Sequence, residues 1–168
     1  MTTYHHGDLR AAVLSAAWKM IEKEGLEGLS VREAARRAGV SHNAPYRHFA
    51  DRESLLAALV AEGFDELEKA IENRSGRELG EAYVAFALAS PQRFRLMFSG
   101  ARASSGLQAR FAASFAHLGP GAGAAAGAAA WALVHGLASL ILEGHLQESE
   151  AGKVIAAMRF AAVPQRSA

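Results

Sequence analysis

The 168-residue chain has no cysteine. Disulfides, thiol nucleophiles and cysteine-ligated zinc are excluded together, and the absence suits a reducing compartment such as the cytoplasm. Proline is scarce, with four residues, and 51% of the chain is hydrophobic against 21% charged, the balance of a folded domain. β-branched residues are sparse and period-two alternation is weak. Alanine and leucine dominate instead, which predicts an all-α fold. No excess of one charge exists either: 18 basic and 17 acidic residues leave a formal charge of +1. Any affinity for nucleic acid must therefore come from a local basic face. The first residues lack a basic stretch followed by an apolar core, so no secretory signal is read. Residues 119–142 carry no fixed charge and are long enough to span a bilayer. They are mostly Ala and Gly up to Ala130, and His135 lies inside, so insertion would gain little. A helix buried against a partner helix is the better reading, and no membrane is expected.

Chemistry-bearing clusters are also thin. His5, His6 and Asp8 lie together, as do His135, Glu143 and His145, but neither set has a three-ligand spacing. A nucleophile elbow, a phosphate loop and paired carboxylates are all absent. The sequence therefore predicts no enzyme, metal or cofactor.

What is present is helical periodicity with clear stops. Leu9, Val13, Ala17, Met20 and Ile21 make one apolar stripe over 8–24, and Gly25 suits the left-handed residue after a helix. Ser30 and Glu33 have the spacing of a capping box for a second helix that Gly39 stops. Ala34, Ala35 and Ala38 are small enough for another helix to cross closely. Ser41 is expected to cap a short third helix over 41–49, with Val40 and Phe49 pointing inward. Pro45 predicts an irregular first turn or a lost hydrogen bond there. Asp51 caps a long helix with the stripe Leu55, Leu56, Leu59, Val60, Phe64, Leu67 and Ile71, which fades at 73–76. Further helices are predicted near 78–89, 91–98, 104–117, 122–146 and 149–162, about nine in all.

Helix, glycine turn and short polar-aromatic helix form a helix-turn-helix pattern. Arg47 and Asn43 can bond base edges in a major groove. Tyr46, His48 and Ser41 suit phosphate oxygens, and Arg32, Arg36, Arg37 and Arg52 can add phosphate contacts. A structural hairpin with a solvated polar face is the plainer alternative for such a turn alone.

The run from Leu29 to Ser41, then Tyr46-Arg47-His48-Phe49 and Leu55-Leu56, resembles the DNA-binding domain of TetR-family regulators over roughly 8–64. Trp131 to Ala138, with His135-Gly136, and Pro91 to Phe98 are similar to a family branch with a Trp-His-Gly motif. So is the opening Tyr4 to Arg10. The resemblance implies a three-helix DNA-binding head, 1–51, and a helical ligand-binding and dimerisation body, 52–168. Carried over by motif position, the DNA contacts are Ser30, Arg32, His42, Asn43, Ala44, Tyr46, Arg47, His48 and Arg52. It implies a regulator, usually a repressor, that binds an operator as a dimer and leaves it when a small molecule binds. A ligand-independent dimeric DNA-binding protein stays open, because the body is short for the family.

The body supplies its own signals. Gly119, Gly123 and Gly127 lie four apart, so small residues share a ridge where two helices can approach. With Leu133, Leu137, Leu140 and Ile141, and Val154, Ile155 and Met158 on the last helix, this predicts a homodimer through 122–146 and 149–162. Phe86, Phe94, Met97, Phe98, Phe111, Phe115 and Trp131, with His135 as the polar group, can line a pocket for a small apolar or amphipathic ligand. Aromatics at helical spacing are equally the signature of plain core.

Overall fold

The computed structural model describes residues 6–41, 43–74, 76–100 and 124–157, and every element among them is helical. The α-helices are α1 (His6–Glu24), α2 (Val31–Arg37), α3 (Arg52–Ile71), α4 (Gly76–Ala89), α5 (Pro91–Phe98), α6 (Ala124–Leu142) and α7 (Ala151–Ala157). Two 3-10 turns, Ala44–Arg47 and Glu148–Glu150, complete the set. The helix expected over 104–117 and the end of the one expected over 149–162 lie outside the described residues. The chain forms two compact units: Met1–Gly63 with Gln92–Arg102, and Phe64–Pro91 with Ala103–Ala168.

In the first unit α1 packs on α2 and on the Ala44–Arg47 turn. Val13, Leu14, Ala17, Met20 and Ile21 of α1 join Leu29, Val31, Ala34, Phe49, Leu55, Leu59 and Leu96 in one apolar core. Ala34 and Ala35 are fully buried, so their methyl-sized side chains set how closely α2 can be approached. Both glycine stops behave as the pattern demands. Gly25 has φ +75° and its N–H donates to the Ile21 carbonyl at 2.9 Å. Gly39 has φ +70°; its N–H donates to Arg36 and that of Val40 to Ala35, which closes the last turn of α2.

Two local expectations need correction. Ser30 does cap α2, its Oγ accepting from the Glu33 N–H at 3.1 Å. The Glu33 carboxylate does not close the box: Arg36 and Arg37 draw it forward along the helix. The short third helix is a single 3-10 turn, with Asn43 rather than Ser41 at its N-cap and no side-chain cap. Pro45 is the reason, because it has no N–H and disfavours α backbone in the residue before it. Its carbonyl still accepts from the N–H groups of His48 and Phe49, at 2.8 and 2.9 Å. Asp51 then caps α3 as expected: the Ser54 N–H donates to Asp51 Oδ1 at 2.7 Å, and the Asp51 N–H to Ser54 Oγ at 3.1 Å.

In the second unit α4 packs against α6 and α7. Leu79, Tyr83 and Ala87 recur every four residues and are buried, as are Ala130, Val134, Leu137 and Ala138 on α6 and Ile155 on α7. Helix α6 stops earlier than the expected 146. Gly144 takes φ +78°, and the Gly144 and His145 N–H groups return to Ile141 and Leu140. A capping box between Gln147 and Glu150 starts the next element.

Candidate DNA-reading surface

The Ala44–Arg47 turn is an exposed polar surface on an apolar foot. Pro45 is buried and Phe49 is 1% exposed, so the turn is anchored at both sides of Tyr46, Arg47 and His48. Those three and Asn43 are exposed, Tyr46 to 48% although it is a large aromatic. Ala44 is half-buried and His42 lies outside the described residues. Ser30 is half-buried with its hydroxyl already holding Glu33, while Arg32 projects from the first turn of α2 and is exposed. Ser30, Arg32, Glu33, Arg36, Val40 and Ser41 line an open groove of about 460 Å³.

The basic residues of this face divide by their partners. Arg36 grips Glu33 through two bonds of 2.8 and 2.6 Å, and Arg37 bonds Glu33 at 2.8 Å and both oxygens of Glu24 at 2.8 Å. Arg36 first, then Arg37, holds the Glu33 carboxyl down to about 2, and Arg37 lowers that of Glu24. These groups are exposed, so the network orders side chains more than it adds stability. Arg52, expected at phosphate, donates to two backbone carbonyls, Leu29 from Nε at 3.1 Å and Leu26 from Nη2 at 2.9 Å. Arg32 and Arg47 have no ion pair among the described residues.

The residues expected to line a pocket fall in both units. Met97 is 1% exposed and lies against Gly63, where an added Cβ would come within 2.8 Å of its sulfur. Phe94 is buried and its ring centroid lies 4.9 Å from that of Phe98, tilted by 57°. These three belong to the first unit. Phe86, half-buried on α4, and Trp131 and His135 on α6 belong to the second. Phe111 and Phe115 lie outside the described residues. Helical periodicity offers no reason to single out Tyr83, which is fully buried and hydrogen-bonded to Trp131 and His135. Indole N–H can only donate, so the Tyr83 oxygen accepts from Trp131 at 3.2 Å, and the same hydroxyl is hydrogen-bonded to His135 Nδ1 at 2.9 Å. Burial lowers the His135 pKa, which favours its neutral ring. Burial also pushes the Tyr83 hydroxyl up, so it stays protonated. The general clue was that a buried tyrosine hydroxyl must find a partner.

A third cluster sits in the first unit. The Trp18 indole donates to Glu62 at 2.7 Å, the Arg93 guanidinium lies 4.3 Å over the Trp18 ring, and the Arg93 backbone N–H meets Glu22 at 3.2 Å. It ties α5 to α1 by stacking and charge. Among the described residues no group of three or more His, Asp or Glu side chains is placed to hold a metal ion, and no helix is long and apolar enough to cross a membrane.

Two family models match the chain: bacterial regulatory proteins of the tetR family over residues 13–59, and a tetracyclin repressor-like C-terminal domain over 77–161. The chain belongs to the TetR family, and so to transcription regulators rather than enzymes. A protein of unknown function from Rhodococcus sp. RHA1 is 34% identical over 94% of each chain, with a TM-score of 0.75. NalD, the secondary repressor of the MexAB-OprM multidrug efflux pump in Pseudomonas aeruginosa, is 20% identical over 95% of this chain and 98% of its own, with a TM-score of 0.62. The multidrug binding protein EbrR, complexed with imidazole, is 20% identical over 94% and 97%, with a TM-score of 0.65. At that identity the last two share the fold alone. No curated protein matches the sequence.

Proposed function

We propose that this regulator is a cytoplasmic, dimeric repressor that binds a pseudo-palindromic operator and releases it when a small apolar or amphipathic molecule occupies the body. The observation that carries the reading is the Ala44–Arg47 turn, which exposes Tyr46, Arg47 and His48 while Pro45 and Phe49 hold it in the core. In this reading residues 1–51 are the DNA-reading head and 52–168 the ligand-binding and dimerisation body. Arg47 and Asn43 meet base edges, and Arg32, Tyr46 and His48 meet phosphates, with Ser30, His42 and Ala44 beside them. Dimerisation through α6 and α7 is supported by Leu133 and Leu140, which are 54% and 42% exposed on a helix otherwise rich in Ala and Gly. To enter successive major grooves, the two heads of such a dimer must sit about 34 Å apart, one turn of DNA.

Ligand release is supported by the likeness of fold to NalD, a repressor, and to EbrR, a multidrug binding protein. The ligand acts by preferring a body conformation with a different head spacing. Linkage then requires the operator to weaken ligand binding by the same factor, and a factor of about 100 needs about 2.7 kcal/mol of coupling. A gel-shift titration against the DNA flanking the protein's own gene, at controlled salt and with competitor DNA, tests the core of this reading. The expected result is one dimer on a short pseudo-palindrome. Weak, salt-labile binding to every sequence alike would remove the operator from the proposal. Compounds that raise the melting temperature of the free protein and lower operator affinity are the expected inducers. If stabilising compounds and the operator bind additively, ligand release is wrong and the body serves only to dimerise.

A further inference from the structure

We infer that Arg52 is a positioning residue of the head, one that sets where α2 begins, rather than a contact to phosphate. The inference rests on the DNA-reading role proposed above. Arg52 is the first residue of α3, yet two of its N–H groups are directed backwards to the segment between α1 and α2. Nε donates to the Leu29 carbonyl at 3.1 Å and Nη2 to the Leu26 carbonyl at 2.9 Å. Nε and Nη2 form one edge of the planar guanidinium, an edge that arginine otherwise offers to a pair of phosphate oxygens. Here that edge is occupied by backbone. The remaining terminal nitrogen lies 3.9 Å from Glu53 Oε1, a loose contact.

What the bonds hold in place is specific. Gly25 turns the chain out of α1 in the left-handed conformation, and the Leu29 N–H meets the Leu26 carbonyl at a long 3.3 Å. The connecting segment thus has little internal hydrogen bonding, and the Leu29 side chain, 2% exposed, is its apolar anchor. Ser30, which caps α2, follows directly, and Arg32 lies in the first turn. Arg52 for its part follows the exposed 3-10 turn by a few residues. One side chain therefore fixes the start of α2 relative to the segment that carries Tyr46, Arg47 and His48. Arg37 makes the matching tie from the other end of α2, to Glu24 of α1.

The test is a set of operator titrations across salt concentration with wild type, Arg52→Ala, Arg52→Lys and Arg47→Ala, all well below their melting temperatures. Amide exchange of the DNA-free proteins is read alongside. Loss of the charged donor fork is expected to weaken operator binding about tenfold in Arg52→Ala. Lysine has a point charge but no fork for two carbonyls, so Arg52→Lys should not rescue. The slope of log affinity against log salt stays at the wild-type value in both, whereas Arg47→Ala, which removes a base-edge contact, relaxes the preference at one base pair. Exchange at Leu29, Ser30 and Val31 quickens in both Arg52 variants and not in Arg47→Ala. A slope reduced by about 0.9 in Arg52→Ala and restored by lysine would make Arg52 a phosphate contact and overturn the inference. Unchanged affinity in Arg52→Ala would overturn it too. If wild type prefers no sequence, the operator reading fails by itself, and the exchange experiment alone decides: unaltered protection at Leu29 to Val31 sinks the positioning role.

Discussion

The two units bury apolar surface in opposite ways. The first closes its core with large side chains: Leu14, Met20, Ile21, Phe49, Leu55 and Leu59 are all at most 1% exposed, and its charged groups pair on the outside. The second relies on α6, whose buried face is Ala130, Val134, Leu137 and Ala138, while Leu133 and Leu140 point to solvent. A helix built mainly of alanine buries little area per residue, so its stability depends on how many neighbours it has. The first unit is a finished core that presents a polar turn. The second exposes Leu133 and Leu140 on α6 and holds the hydrogen-bonded Trp131, Tyr83 and His135 side chains.

That contrast can be broken most forcefully at Phe49. Phe49→Ala removes the ring under the exposed turn and is expected to cost about 3–5 kcal/mol, read as a drop in urea midpoint. A loss under about 1 kcal/mol would mean the turn is not anchored on that core. Next is Leu133→Asp, which places a charge at the exposed Leu133 position of α6. A two-fold interface contains the substitution twice, so the dimer dissociation constant should rise about 100-fold in sedimentation experiments. The stability of the first unit should be untouched. An unaltered association state would move the interface off this face.

Tyr83→Phe sharpens the other half of the contrast. It leaves the Trp131 N–H and His135 Nδ1 without the hydroxyl between them, at an expected cost of about 1–3 kcal/mol. The same chain predicts a pH dependence. Burial depresses the His135 pKa below its ordinary 6.5, so the unfolded chain binds the proton more readily than the folded one. The stability this group contributes is therefore fully present above pH 6.5 and is lost as pH falls through the folded-state value. Urea midpoints measured on either side of 6.5 should show the loss, and His135→Asn should remove that part of it. The smallest effect is expected at Gly63→Ala, where the new methyl meets Met97 at 2.8 Å. Met97 is flexible and can give way, so about 1 kcal/mol is expected by thermal unfolding. A stabilised variant would show that room exists behind Met97.

Much of this molecule was legible in one dimension, because many of its decisions are local. Gly25 and Gly39 stop helices through their own backbone freedom, and Asp51 finds Ser54 three residues on. The stripes of α1 and α3 follow from a 3.6-residue period, and they lead to the buried faces observed. Residue order alone also marked Tyr46, Arg47 and His48 as an exposed set beside Phe49. Other outcomes depended on competition that sequence spacing does not rank. Glu33 had both Ser30 and two arginines within reach, and the charge-assisted bonds to the arginines prevailed. Pro45 reduced an expected helix to one 3-10 turn.

What only the tertiary structure decided are the partners far apart along the chain. Arg52 reaches Leu26 and Leu29, Arg37 reaches Glu24, Met97 lies on Gly63, and Tyr83 meets His135 from a different helix. None of these follows a helical repeat. Each requires two elements to pack at one angle and one depth, and that geometry is set by the summed fit of many apolar contacts. The sequence by itself therefore determined most of the described helices, most of their stops and the family to which the chain belongs. The crossing of those helices decided which acceptors Arg37 and Arg52 bond, because a guanidinium takes whichever acceptors the packing brings within its reach.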